Sequence, residues 1–579
     1  MTRRRWTATC LVAGILLAGC SLLGPAEDDD AGRRTTTLDP LVSMTPAGQE
    51  LAAAQGVLGS APSYRVTASV SPTSGRVHGV VRAELPVGTA AREARFRLFA
   101  GLRSVEADPT VGAVTVDKTS AEPTRADSIV TVPLPKAHGQ RVRVTVPFAY
   151  RVPVHEPPGL LDALSGMGTA ADVGLLARGP DVLNLGHWFP IWIPAGLSAQ
   201  PDPQGYGDIG NFPAALIRLE LTVPDGWTVI DGGVRTGEAR SADTRTVHSE
   251  AVGMRDLVVS VVRDYTSRER RLTGDLAGVT VTAHGPRDAA SELDGVLTEA
   301  VAAVETLSRG LGAYPWRELD VVSAPLGAGV GGMEWPGAVW IESELFSGGI
   351  PGLSSLEDLD GLEDLLGGAD LDELLSRADG DLALTLDTMR AWTIAHEVGH
   401  EWWHVLVGND SVLHPVVDEP LAQYSACVVL RASPAPQGDV CAAHLESGYG
   451  QMRMLGMPDG AAARRTDRFE SSLQYSGLVY GKAAAFYLAL EEEVGEQAVQ
   501  EALARIVEEN AFGMVTAKSL RDGLARHLGD TAAVDSLWRR WMREAHGDED
   551  LSVPAAGSDL GDLKGLLDGL LPGAAGGGG

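Results

Sequence analysis

Ala395-His396-Glu397-Val398-Gly399-His400-Glu401-Trp402-Trp403 is the stretch on which the reading of this chain turns. Residues four apart share one face of an α-helix, so His396 and His400 can present their imidazoles to a single metal ion. Glu397, between them, can aim at a water molecule beside that ion. An open catalytic zinc site needs three protein ligands and one free position. Glu419 meets that need, 19 positions after His400, within Val417-Asp418-Glu419-Pro420-Leu421-Ala422-Gln423-Tyr424. The apolar-periodic run from Leu421 to Leu430 predicts a second helix that carries Glu419 back towards the first. A third histidine six places after the second would be the other common arrangement, but Leu406 stands there. Singly, His396 could be a satisfied core histidine and Glu419 a helix-capping acid. Their joint spacing points to one zinc ion held by His396, His400 and Glu419.

Outward from this segment, Val407-Gly408-Asn409-Asp410 follows the histidine pair. Upstream lie Leu311-Gly312-Ala313-Tyr314-Pro315-Trp316-Arg317-Glu318-Leu319 and Gly331-Gly332-Met333-Glu334-Trp335-Pro336-Gly337; downstream lies Val479-Tyr480-Gly481-Lys482-Ala483. In this order, over about residues 311–485, the segments resemble the M1 family of zinc metallopeptidases, which includes aminopeptidase N and the leukotriene hydrolase. The resemblance implies zinc-dependent hydrolysis of peptide bonds. It implies that Glu397 serves as general base and that Tyr480 donates a hydrogen bond to the developing oxyanion. Tyr475 is the competing candidate for that second role. Glu334 would bind the free α-amino group of a peptide substrate, and Gly331, Gly332 and Met333 would form the strand along which the substrate lies.

The chain departs from the family pattern in three places. Trp335 stands where the family has Asn, and no residue matches its second amine-binding group. Asn184-Leu185-Gly186-His187-Trp188-Phe189-Pro190 is similar to the family's Trp-Phe-Pro stretch, and reads equally as domain-interface packing. The third departure is the short run of helices expected after Tyr480, to about Ala545, where larger members have a big helical domain enclosing the cleft. Aminopeptidase action on peptides outside the cytoplasm is therefore the expectation, with two alternatives. One is a gluzincin endopeptidase with an open cleft; the other is a zinc-stabilised binding protein without activity. A purely structural zinc site is more often closed by four protein ligands, which argues against the latter.

The rest of the chain sets these motifs in a multidomain α+β architecture. From Tyr64 to about Val262, apolar and polar residues alternate between turn signals, as in Arg65-Val66-Thr67-Ala68-Ser69-Val70 and Leu216-Ile217-Arg218-Leu219-Glu220-Leu221. An all-β, saddle-like N-terminal domain is expected over residues 61–267. A thermolysin-like, mostly helical α/β zinc peptidase domain is expected over 268–550, with a helix from Ala289 to Leu311 and a strand at Leu319 to Val322. Residues 347–381 form an acidic, Leu- and Gly-rich insertion. Residues 551–579 form a low-complexity tail that ends in glycines.

At the other end, Arg3-Arg4-Arg5 precedes a short apolar run, Leu11 to Ala18, closed by Leu17-Ala18-Gly19-Cys20. A basic start, a short apolar core and small residues make residues 1–20 a secretory signal, too short to span a membrane. Its end resembles the lipobox of bacterial lipoproteins, in which the cysteine is lipidated. The expectation is a protein anchored to the bacterial cell membrane through Cys20, by either export route, with residues 21–60 as a flexible tether. Cys427 and Cys441 are then left as a disulfide or as two buried thiols, both open readings. The chain has 47 Lys+Arg against 77 Asp+Glu, a formal net charge of −30. Such acidity disfavours nucleic acid as a partner, because phosphate binding needs clustered cations.

Overall fold

The computed structural model describes residues 40–155, 174–203, 206–207, 209–327, 330–349, 379–433 and 440–551. Cys20 and most of the acidic insertion and tail lie outside the described residues.

The N-terminal half is built on alternation. In β1 (Ser63–Ser71), Tyr64, Val66, Ala68 and Val70 point into the core while Arg65 and Ser69 face water. β1 pairs antiparallel with β2 (Arg76–Leu85), which pairs antiparallel with β3 (Val142–Arg151). On its other side β1 runs parallel to β4 (Ala215–Pro224), which pairs antiparallel with β5 (Thr244–Met254). Among the described residues these five form the middle of a nine-stranded sheet, which two four-stranded sheets accompany.

A second, five-stranded sheet follows. It contains β6 (Tyr265–Arg271), β7 (Thr280–Pro286), β8 (Glu318–Ala324), β9 (Gly332–Trp335) and β10 (Ala338–Glu342), in the order β6-β7-β8-β10-β9. The boundary expected near residue 268 thus falls inside β6, a strand of the second sheet. β7 and β8 are parallel, and the helix Leu293–Leu311 makes the crossover between them. Its apolar stripe, from Val296 and Leu297 through Ala300, Val304 and Leu307, is buried. That helix starts four residues later than the sequence pattern suggests, because Arg287–Ala289 forms a separate 3₁₀ turn. β9 lies at the edge of the sheet and forms a hairpin with β10.

Helices then dominate. We number the five used below α1 (Pro46–Gln55), α2 (Leu293–Leu311), α3 (Asp379–Gly399), α4 (Glu419–Ala432) and α5 (Val440–Met454). A π-helix, Ser476–Lys482, packs beside α5. No helix among the described residues is long and apolar enough to cross a membrane.

The second half of the expected tether is not a tether. Residues 40–60 form three short helices, of which α1 is the longest, and they pack on the catalytic region. Met44 is fully buried and bridges to Trp316, the Thr45 amide donates to the Pro315 carbonyl at 3.0 Å, and the Arg317 amide donates to Ser43 at 3.1 Å. Met44, Ala52 and Val57 are the apolar residues that this segment buries.

Candidate metal centre

α3 carries His396, Glu397 and His400, and α4 begins at Glu419. Asp418 caps α4, its carboxylate accepting from the Glu419 amide at 3.0 Å. The same carboxylate accepts from Asn409 Nδ2 at 2.9 Å and from the Ser411 hydroxyl. The chain leaving α3 is thereby tied to the start of α4, which aims Glu419 at the histidines.

Three ligand atoms converge. His396 Nε2 and His400 Nε2 are 3.1 Å apart, and Glu419 Oε2 lies 3.3 Å from the first and 3.4 Å from the second. Two ligands at about 2.0–2.1 Å from a tetrahedral zinc ion stand about 3.3 Å apart, so the set has the spacing of a single site. Glu419 Oε2 is buried without a hydrogen-bond partner, a costly state for a carboxylate that a cation would relieve. His400 Nδ1 lies 3.0 Å from the Trp403 carbonyl, which can only accept. Nδ1 therefore carries a proton, and Nε2 is the atom that faces the centre. Burial pushes the His396 pKa down. Burial also opposes charge on His400, but Glu334, Glu419 and Glu397 together hold its pKa well above the usual range.

Glu397 is buried beside the ligands, and its Oε2 has no hydrogen-bond partner. Burial and then the nearby Glu334 push its carboxyl well above the usual carboxylate range. Glu334 comes from edge strand β9, and a carboxylate oxygen of it lies within 4.8 Å of ligand atoms of both Glu397 and His400. Met333 is half-buried against the core, and the Gly331 carbonyl accepts from the Glu342 amide at 2.9 Å. The structure gives Gly332 a specific reason: a Cβ there would stand 2.5 Å from Glu397 Oε1 and 2.6 Å from its Cγ.

Of the two tyrosines, Tyr480 stacks on His396, with ring centroids 5.9 Å apart and planes at 20°. Tyr475 is one layer further out, packed between Phe469 and Tyr480. Burial and the Glu419 carboxylate keep the Tyr480 hydroxyl protonated far above its ordinary range. Tyr480 rides on the π-helix, whose end is pinned by the buried Lys482. Its Nζ donates to Asp459 at 2.8 Å, to the Gly460 carbonyl at 3.0 Å and to the Glu544 carbonyl at 2.6 Å.

Three features of the site escaped the sequence. Glu401, buried next to His400, accepts the Gly337 amide at 3.1 Å and so ties the end of α3 to the β9–β10 turn. Arg255 is buried between the domains and donates to the carbonyls of Phe212, Val405, Leu406 and Gly513. His444 on α5 stacks on Trp392 of α3, with ring centroids 4.0 Å apart. It keeps an exposed edge, yet burial pushes its pKa down to about 4, with a further lowering from His396.

The stretch Asn184–Pro190 serves as interface packing. Trp188 is fully buried with its indole N–H on the Leu257 carbonyl at 2.8 Å, and the His187 ring lies 4.9 Å from Trp335. Trp335 is buried between His187 and Trp340. Cys427 and Cys441, on α4 and α5, are both buried and are not joined in a disulfide.

No curated protein matches the chain in sequence. Residues 380–541 match the peptidase family M1 domain. Among solved structures, the M1 zinc metallopeptidase from Deinococcus radiodurans is similar with a TM-score of 0.57 at 14% identity, covering 86% of this chain and 96% of that one. A mutant of that enzyme bound to a Tyr-Ser-Ala substrate gives a TM-score of 0.56 at 14% identity, with the same coverage. A two-domain M1 zinc metallopeptidase mutant bound to L-arginine gives 0.55 at 15% identity, covering 86% of this chain and 96% of that one. At this identity the likeness establishes the fold, a β-rich domain followed by a helical one. With the ligand set described above, the chain is a zinc metallopeptidase that carries a peptidase family M1 domain over residues 380–541.

Proposed function

We propose that the protein is an aminopeptidase that removes N-terminal residues from peptides outside the cytoplasm. The observation that carries this reading is the position of Glu334, on the edge strand of its sheet among the described residues and within 4.8 Å of Glu397 and His400 ligand atoms. A carboxylate there can bind an ammonium group through charge-assisted hydrogen bonds and so measure a single residue from the scissile bond. The outer edge of β9 carries backbone groups to which an extended peptide can add as a further strand.

His396, His400 and Glu419 would hold the zinc ion. When bound, the ion supplies Lewis acidity, lowering the pKa of water and polarising a carbonyl oxygen. Glu397 takes the proton of the attacking water at its free Oε2 and returns it to the departing amine. Tyr480 donates its hydroxyl hydrogen to the substrate carbonyl oxygen as charge develops, an interaction worth about 3 kcal/mol of transition-state energy. Gly332 leaves the space in which the Glu397 carboxylate lies.

The deciding experiment compares cleavage of a free-amine peptide with that of its N-acetylated twin, with Glu397→Gln as the inactive control. Exclusive cleavage of the free-amine peptide is expected. Equal cleavage of both would make the enzyme an endopeptidase, and zinc binding without cleavage of either would make it a binding protein. Residues 1–20 support export and anchoring at Cys20. The corresponding check is release of the protein from the membrane fraction by Cys20→Ala.

A further inference from the structure

The direction in which β9 passes α3 decides where each end of a bound peptide lies. Gly331 faces Thr393, Gly332 faces Glu397, and the Gly337 amide bonds Glu401. Strand and helix therefore run the same way, and Glu334 sits towards the His400 end. A peptide whose amine is held at Glu334 reaches Glu397 only by running back along β9 towards Gly331, antiparallel to the strand. The residue after the scissile bond then arrives at the start of this stretch of α3, beside Thr393 and Trp392.

At that end the structure places an aromatic floor. Trp392 is one helical turn before His396, and its indole N–H is already engaged by Gln423 Oε1 at 2.8 Å. It therefore offers only its face, and His444 lies on that face with centroids 4.0 Å apart and planes at 30°. His444 is exposed, and Met389, one turn away on α3, is 39% exposed. The neighbouring cation, Arg390, does not serve this floor. It is turned into Glu299 at 3.0 Å and Glu292 at 3.3 Å.

We propose that His444, stacked on Trp392, forms the subsite for the side chain that follows the scissile bond, and that it selects large apolar or aromatic residues at the second position of the peptide. The assignment rests on the reading of Glu334 as the amine anchor. Ring faces and a thioether gain from contact with aromatic or long apolar side chains, and that contact adds nothing for glycine or for a solvated carboxylate.

The test uses the full zinc-loaded chain and the peptides Ala-Xaa-Ala, with Phe, Leu, Gly and Glu as Xaa. The wild-type protein should prefer Phe and Leu. His444→Ala should lose about tenfold in kcat/KM on Ala-Phe-Ala while Ala-Gly-Ala stays within about twofold, and His444→Phe should restore the preference. Calorimetric binding of the same peptides to the Glu397→Gln protein and to its His444→Ala double variant should give the same ratio without turnover. An unchanged Phe-to-Gly ratio in His444→Ala, or an equal loss on every peptide, would overturn the subsite. The amine anchor is read separately, from the rate ratio of Ala-Phe-Ala to its N-acetylated twin, so either assignment can fail without the other.

Discussion

Gly332 is the residue at which one added methyl group should separate chemistry from metal binding. A Cβ there would press on three atoms of Glu397, the closest at 2.5 Å, while touching none of the zinc ligands among its nearest neighbours. Gly332→Ala should therefore keep one zinc per chain and an unchanged melting temperature. Its kcat should fall about 100-fold, the cost typical of a displaced reacting group. Metal content by mass spectrometry together with kcat checks this; an unaltered kcat would remove Glu397 from the role of base. The sequence showed Gly331 and Gly332 as room for substrate backbone, but the space belongs in part to the enzyme's own carboxylate. His396 and His400 were legible because four residues along a helix is a local geometry, and Glu419 because a second helix could be read beside it. His444 and Glu401 were not legible. Their neighbours are brought to them by packing between helices and by a hairpin turn, and neither leaves a period in the chain.

At the scale of elements, the π-helix that carries Tyr480 is the clearest case of local structure serving a site. Its wider turn has no sequence signature, and such turns occur frequently at functional positions. Lys482 explains how it is held, since its three bonds reach two separate loops, at Asp459–Gly460 and at Glu544. Lys482→Met leaves the buried Asp459 carboxylate without its cation and should cost about 3–5 kcal/mol of stability. kcat should drop with zinc content retained, because Tyr480 loses its position. Thermal melts and turnover of the metal-loaded variant test both. On β8, burial, followed by Asp320 and Asp231, raises the Glu318 carboxyl to about 7. A raised folded pKa contributes stability that is complete below the ordinary carboxylate range and lost as pH rises through about 7. Glu318→Gln mimics the protonated form. It should melt about 1–2 °C above wild type near pH 8, the shift of about 1 kcal/mol, and the gap should narrow towards about pH 5. A gap independent of pH would exclude this carboxyl as its source.

The molecule as a whole depends on a three-way junction that composition conceals. Residues 40–60 have no aromatic residue and continue a polar, charged stretch, so they read as tether, and the β-rich and helical regions read as separate domains. The structure joins all three at Met44. Its Cε would stand 2.8 Å from a Cβ added at Gly253, at the end of β5, beside the Phe512 ring, and its backbone bridges to Trp316 ahead of β8. Arg255, two residues after Gly253, carries the same junction onward to the loop that leaves the zinc helix, through Val405 and Leu406. A side chain in such a place stabilises the relation between domains as much as either domain. Met44→Ala should therefore cost about 2–5 kcal/mol, the usual range for a large apolar core residue. Because the cavity opens between regions, the loss should extend beyond the leading segment. Hydrogen exchange should speed up in β5 and in the 402–410 loop together, and zinc should leave faster on chelator challenge. Faster exchange confined to residues 40–60, with zinc retention unchanged, would show that the leading helices only rest on the catalytic fold and do not brace it.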